Sequence, residues 1–92
     1  MHRLRFEELT ATEAVAAKLS AKHGVRFDEI EEAIFGRDTH IRRGQAGLYL
    51  IYGRTEAGRY LFCVVAGEGS KARVVTARSM TPGERRFYGK QR

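Results

Sequence analysis

Arginines gather around one strand-to-helix junction near the C-terminus of the chain. Arg78 ends a strand-like stretch, and Arg85 and Tyr88 are spaced three apart, so they share one face of the following helix. Arg73 and Arg86 add positive charge to the same region. Guanidinium groups and the free backbone N–H groups of a helix start both donate hydrogen bonds to phosphate oxygens. The junction therefore predicts an anion-binding corner that suits RNA or an acidic partner.

If the bound anion is RNA and the chain cleaves it without a metal, the reaction needs a base for the 2′-hydroxyl proton, donors for the phosphorane charge and an acid for the leaving 5′-oxygen. The candidate bases are few, namely His23, His40 and Glu84. Each has a structural alternative: a helix-terminal cation for His23, a solvated edge strand for His40 and a capping box for Glu84. Tyr88 suits stacking on a base or donating a proton, and equally suits burial of its ring.

A second group of arginines flanks a predicted hairpin loop. Arg54 and Arg59 are predicted to lie opposite each other, where an anion or the Glu56 carboxylate would offset their repulsion. Aromatic residues interleave with them on the predicted strands: Tyr49, Tyr52, Tyr60 and Phe62. This mixture suits single-stranded RNA and equally describes a sheet surface under a helix.

The N-terminal half of the chain predicts a short strand and two helices. The strand covers Arg3–Phe6, and the first helix begins at the capping-box pattern Thr10–Glu13. Gly24 ends that helix. The second helix covers Phe27–Phe35, because apolar residues recur there at helical spacing and acidic residues favour its first turns; Gly36 ends it.

The C-terminal half predicts strands and a final helix. An extended segment, Thr39–Arg43, precedes three clearer strands at Leu48–Arg54, Arg59–Ala66 and Lys71–Arg78. Short glycine-containing loops join the three strands, which predicts an antiparallel meander. The middle strand is apolar on both faces and so should have cover on both sides. The last helix begins at the capping box Thr81–Glu84. The predicted fold class is α+β.

Composition indicates one basic domain. The 92 residues suit a single domain spanning 1–92, and 17 Lys and Arg against 11 acidic residues give a net charge of +6 that favours polyanions. The lone Cys63 excludes a disulfide within the chain. No stretch suits a membrane span or a signal peptide, so we expect a cytoplasmic location. No cluster has metal-ligand spacing, and we expect no metal or other cofactor.

Two stretches resemble a known family. The run Lys22–Glu29 (KHGVRFDE) is similar to a lysine-histidine-glycine-valine run before the family's second helix. The stretch Thr76–Tyr88 (TARSMTPGERRFY) is similar to a second run of the same family. In that run a strand ends in alanine-arginine and is followed by a threonine, a glutamate-arginine pair and a tyrosine. Together they resemble the BrnT family of toxins, relatives of the RelE-like ribonucleases of bacterial type II toxin–antitoxin pairs.

The resemblance implies a metal-independent endoribonuclease that a small ribbon-helix-helix, DNA-binding antitoxin neutralises. It also implies two N-terminal helices, an antiparallel meander and a C-terminal helix. In this picture Arg78 and Arg85 bind the scissile phosphate, Tyr88 orients or protonates, and His23 or Lys22 assists from the end of the first helix. Further RNA contacts are expected from the basic residues Lys22, Arg54, Arg59, Arg73 and Arg86.

Two other functions stay open at this point. The same basic surface suits a non-catalytic module that binds nucleic acid or an acidic protein, and it also suits a structural partner within a complex. The enzyme requires a convergent cluster at one concave spot, whereas a binding module spreads its arginines along a flat face. Assembly as a homo-oligomer or as a complex with an antitoxin is compatible with either function.

Overall fold

The computed structural model describes residues 6–91 of the chain. Five strands form one sheet: β1 (Glu8–Thr10), β2 (His40–Arg43), β3 (Leu48–Arg54), β4 (Tyr60–Glu68) and β5 (Lys71–Ser79). Three helices complete the fold: α1 (Glu13–His23), α2 (Phe27–Ile34) and α3 (Pro82–Lys90). The strand order is β1-β5-β4-β3-β2, with β1 parallel to β5 and every other neighbouring pair antiparallel. The predicted α+β class and the antiparallel meander are confirmed.

The N-terminal strand differs from the sequence prediction. Strand β1 covers Glu8–Thr10, after the predicted segment Arg3–Phe6, of which residues 3–5 lie outside the described part of the chain. Thr10 pairs with Arg73 of β5, so it cannot cap α1 as predicted. Thr12 is the N-cap instead, and its hydroxyl accepts a hydrogen bond from the Val15 N–H at 3.1 Å.

The predicted end of α1 is confirmed. Gly24 adopts a left-handed conformation with φ of 61°, and its N–H donates to carbonyls in the last turn of the helix. Helix α2 ends at Ile34, one residue before its predicted end, and Phe35 is its C-cap.

Helices α1 and α2 pack on one face of the sheet. Leu19 of α1 and Ile30 of α2 belong to the buried cluster there, together with the strand residues Leu61, Cys63 and Val65. Those three β4 side chains have no exposed surface, which confirms that β4 is the central strand. Burial raises the pKa of the Cys63 thiol to about 12, so the thiol stays protonated at neutral pH.

Helix α3 covers part of the opposite face, which we call the α3 face. Tyr52, Met80 and Tyr88 are buried there. Tyr60 and Phe62 of β4 are half-buried against them. The central strand is therefore covered on both sides, as predicted, but by helices from opposite ends of the chain.

The start of α3 has the predicted capping box. The Thr81 hydroxyl accepts a hydrogen bond from the Glu84 N–H at 3.2 Å, and a Glu84 carboxylate oxygen accepts from the Thr81 N–H at 2.9 Å. Pro82 occupies the first helical position, where its missing N–H costs nothing. Two otherwise orphaned N–H groups are thus satisfied, and the first turn of α3 is held against the end of β5.

Replacement of Thr81 by alanine is expected to lower the free energy of unfolding by about 1 kcal/mol, the usual size for an N-cap. The reason is the loss of the hydroxyl that accepts from the Glu84 N–H. Denaturant titration of the wild type, Thr81→Ala and Thr81→Ser would measure the effect. The serine variant keeps the acceptor oxygen and is the control. Equal midpoints for wild type and alanine variant would contradict the capping role.

Candidate functional site

The end of the β3–β4 hairpin brings a tyrosine between two arginines. Arg54 is the strand partner of Tyr60, and its guanidinium carbon lies 5.7 Å from the centroid of the Tyr60 ring. Arg85, in the first turn of α3, places its guanidinium carbon 4.1 Å from the same centroid. Arg54 also pairs with Asp38 at 3.4 Å, which fixes its direction. Two cations from separate elements therefore converge on one phenol.

This environment changes the acidity of the phenol. Hydrogen bonds from Arg85 and Arg54 lower the pKa of Tyr60 below its ordinary value of 10.0. Both arginines favour the phenolate, because an opposite charge nearby stabilises the ionised form. Tyr60 is therefore a stronger acid than an ordinary tyrosine.

The predicted pairing of Arg54 with Arg59 is wrong. The Thr55 N–H donates to the Arg59 carbonyl at 2.9 Å, so Arg59 closes the loop and Tyr60 is the first residue of β4. Since successive side chains of a strand alternate between faces, Arg59 lies on the opposite face of the sheet from Tyr60. Only the register decides which residue faces Arg54.

Arg78 lies on the α3 face beside this cluster. Its guanidinium carbon is 4.7 Å from the centroid of the Phe62 ring, and its nitrogens donate to both oxygens of Glu84 at 2.7 and 2.8 Å. The hydrogen bond from Arg78 is the main reason that the pKa of Glu84 lies below its ordinary value. Glu84 is thus an ionised acceptor that orients Arg78 and caps α3.

Strand β2 extends the same surface. The Arg42 guanidinium carbon lies 4.9 Å from the centroid of the Phe87 ring. His40 makes an edge contact with Phe87 at 5.5 Å between ring centroids. Burial, followed by repulsion from Arg42, lowers the pKa of His40 below 6.5. The imidazole is therefore neutral at pH 7 and able to accept a proton.

Tyr88 is a buried support of the cluster. Its side chain is 1% exposed, and its hydroxyl donates to the Asp38 carbonyl at 2.9 Å. Its ring packs edge-on against Tyr60 with 6.0 Å between centroids. Tyr88 therefore joins α3 to the loop before β2 and backs the Tyr60 ring.

Three of the predicted site residues lie at the end of α1 or against it, across the sheet from α3. His23 and Lys22 are exposed in the last turn of α1. Arg59 donates to the carbonyls of His23 and Gly24 at 3.0 and 2.8 Å and also to the Ser79 hydroxyl. Arg59 therefore satisfies carbonyls at the C-terminus of α1 and joins that helix to the end of β5.

The remaining predicted residues are exposed. Arg73 lies on β5 opposite Ala66, and Arg86 lies in α3 next to Arg85. The prediction from sequence named Tyr60 only among the aromatic residues that interleave with the arginines, and it assigned neither Tyr60 nor Arg42 a role in the site. The Tyr60 signal was its alternation with Phe62 on one face of β4, but only the hairpin register places it against Arg54.

A groove of about 480 Å³ lies beside the cluster, with Arg54 and Tyr88 in its wall. Three carboxylates and two guanidinium groups line it, those of Glu32, Asp38 and Glu56 and those of Arg37 and Arg54. Carboxylates outnumber the guanidinium groups there, which makes the groove less suited to a polyanion than a surface of arginines alone. The α3 face, where arginines rest on aromatic rings, is therefore the better candidate surface for RNA.

Within residues 6–91, no group of three or more His, Cys, Asp and Glu side chains is arranged to hold a metal ion. No helix of that part of the chain is long and apolar enough to cross a membrane. The chemistry that the described site offers is that of arginines, a phenol and an imidazole. These groups suit charge stabilisation and proton transfer.

Comparison with known proteins shows a shared fold. The sequence matches no family model and no curated protein. Among solved structures, the chain is similar to the Brucella abortus ribonuclease toxin BrnT, whose crystal structure has 1.1 Å resolution. The TM-score is 0.67 at 18% sequence identity, and the match covers 80% of this chain and 96% of that chain. The resemblance inferred from the sequence is confirmed at the level of the fold.

Proposed function

We propose that this chain is a metal-independent endoribonuclease toxin of a type II toxin–antitoxin pair that cleaves RNA in the cytoplasm. The observation that carries the proposal is the convergence of Arg54 and Arg85 on Tyr60. This cluster of side chains lies on a fold that the chain shares with a ribonuclease toxin. A convergent cluster is what catalysis requires, whereas simple binding needs only a spread of positive charge.

RNA binding is assigned to the arginines of the α3 face. A guanidinium stacked on an aromatic ring is held flat and keeps N–H groups at its edge for phosphate oxygens. The guanidinium carbons of Arg42, Arg54, Arg78 and Arg85 all lie between 4.1 and 5.7 Å from an aromatic ring centroid on this face. Exposed Arg73 and Arg86 extend the basic surface to flanking nucleotides. His23, Lys22 and Arg59 serve the end of α1 in this proposal, because they lie across the sheet.

In the proposed reaction the 2′-hydroxyl of RNA attacks the adjacent phosphorus and the 5′-oxygen leaves. Arg85 and Arg54 offset the charge that develops on the phosphorane oxygens. Arg78, held by both oxygens of Glu84, positions a neighbouring phosphate. Tyr88 acts through its packing on Tyr60, since its own hydroxyl is bound to the Asp38 carbonyl.

The proposed partner is a small ribbon-helix-helix antitoxin. The chain has a net charge of +6, and four arginines, Arg42, Arg54, Arg78 and Arg85, lie on the α3 face, so an acidic antitoxin segment would bind there and exclude RNA. Inhibition by occupation of the basic face needs no change in the fold of the toxin. The RNA-binding and antitoxin-binding surfaces would then overlap.

The purified protein is expected to cleave RNA in the presence of EDTA, because the proposed site uses arginines and proton transfer. Incubation with a mixed-sequence RNA, free and on ribosomes, followed by mapping of the product ends, measures this. The expected products carry a 2′,3′-cyclic phosphate and a 5′-hydroxyl, as attack by the 2′-oxygen demands.

Two results would contradict the proposed function. Complete loss of cleavage on chelation, restored by added divalent cation, would show metal-dependent chemistry. Binding without any cleavage, with an affinity that falls steeply as salt rises, would support the non-catalytic RNA-binding alternative. The exposed position of Arg73, away from the convergent cluster, is the feature that favours that alternative.

A further inference from the structure

Tyr60 differs from the other tyrosines of the chain in its surroundings. Tyr52 of β3 and Tyr88 of α3 are buried between the sheet and that helix, with 6% and 1% of their surfaces exposed. Tyr49 lies on the opposite face, where it packs against Phe6. Tyr60 is half-buried on the α3 face, with the guanidinium carbons of Arg85 and Arg54 at 4.1 and 5.7 Å from its ring centroid. It is the phenol that a bound RNA on this face can reach.

We propose that Tyr60 is the general acid that protonates the leaving 5′-oxygen during RNA cleavage. This assignment deepens the proposed ribonuclease function and rests on it. Arg54 and Arg85 come from different elements, β3 and α3, yet both approach the same ring. They would bring the scissile phosphate, and hence its 5′-oxygen, to the phenolic hydroxyl.

The electrostatics agree with a proton donor. The guanidinium groups of Arg85 and Arg54 lower the pKa of the phenol, and they would stabilise the phenolate left after proton transfer. A stronger acid donates more readily to an alkoxide leaving group, provided that it is still protonated at the working pH. Glu84 is less suited, because the lowered pKa of its carboxyl keeps it ionised.

In the proposed step, bonds and protons are exchanged between the RNA, Tyr60 and water. The 2′-oxygen forms a bond to phosphorus and releases its proton to water, while the bond between phosphorus and the 5′-oxygen breaks. The O–H bond of Tyr60 breaks as its proton moves to that 5′-oxygen, which leaves as a hydroxyl. The phenolate then regains a proton from water, and the products are a 2′,3′-cyclic phosphate and a 5′-hydroxyl.

The test compares wild type and Tyr60→Phe on two oligoribonucleotides of one sequence. One has an ordinary scissile phosphodiester, and the other has sulfur in place of the bridging 5′-oxygen. Loss of a general acid is expected to slow single-turnover cleavage of the ordinary RNA by about 10²-fold or more. The sulfur substrate should be cleaved at nearly the wild-type rate by the variant, because a thiolate leaves without a proton.

Two accompanying measurements exclude simpler explanations of a slow variant. Phenylalanine keeps the ring on which Arg54 and Arg85 rest, so the melting temperature and the RNA dissociation constant are both expected to change little. If Tyr60→Phe cleaves both substrates more slowly than the wild type by the same factor, the assignment is overturned, since that result would show that Tyr60 only positions the RNA.

The remaining outcomes separate the two proposals. Full wild-type activity of Tyr60→Phe on the ordinary RNA would overturn the role of Tyr60 and leave the ribonuclease function standing. Absence of cleavage by the wild type on every RNA would overturn the ribonuclease function and this assignment with it.

Discussion

Replacement of Arg85 by alanine is expected to lower RNA cleavage by about 10²-fold, the usual size for the loss of one donor to a developing anion. The variant loses the guanidinium that lies 4.1 Å from the Tyr60 ring centroid. Its stability should change by less than about 0.5 kcal/mol, because the residue is exposed and a cation gains little from the first turn of a helix. Single-turnover cleavage and thermal melting of the same preparation measure both effects.

Arg43 offers a matched control for this experiment. Its guanidinium also rests on a tyrosine, with 5.8 Å to the Tyr49 centroid, but on the face that α1 and α2 cover. Arg43→Ala removes the same charge and a similar stacking contact, and cleavage should be retained. An Arg85→Ala protein that melts early and keeps full activity would show that Arg85 serves the fold. Equal losses in both variants would show that only total charge matters.

Replacement of Gly53 by alanine is expected to lower the free energy of unfolding by about 3 kcal/mol, at the upper end for overpacking of a core. A Cβ atom at Gly53 would lie 2.2 Å from the Ala33 carbonyl oxygen and 2.9 Å from its carbonyl carbon. Both are backbone atoms of α2 and cannot rotate away. Helix α2 would have to move off β3, and denaturant titration measures the cost.

Gly89 provides the control for the glycine experiment. An added Cβ there meets no atom within 4 Å, and the residue lies inside α3. Gly89→Ala should leave stability unchanged or raise it slightly, because alanine favours helix over glycine. Equal destabilisation by the two variants would contradict the close approach of α2 to β3 as the cause.

Local signals predicted most of the elements. Strand β3 has its predicted bounds, and β4 and β5 differ from theirs only at the ends. The capping box at Thr81 and Glu84 and the stop at Gly24 are confirmed because each depends on residues within one turn. These interactions join residues that are close in sequence, so the spacing of residue types predicts them.

The N-cap of α1 was predicted wrongly because of a contact that is distant in sequence. The capping-box pattern Thr10–Glu13 was a valid local signal, but Thr10 is held by parallel pairing with Arg73 of β5. That pairing joins the first strand of the chain to the last, which lie far apart in sequence, and nothing within the first residues indicates it. A tertiary contact therefore displaced the cap by two positions, to Thr12.

The sequence by itself determined the α+β class, the meander and the basic junction of Arg78 and Arg85, because periodicity, turns and caps act over short distances. Only the tertiary structure decided which arginines share a site. The hairpin register put Tyr60 opposite Arg54 and turned Arg59 to the other face. The docking of α3 then laid Arg85 on the same ring. A shift of one residue reverses the face of every side chain in a strand, so the site depends on a register that composition and spacing do not determine.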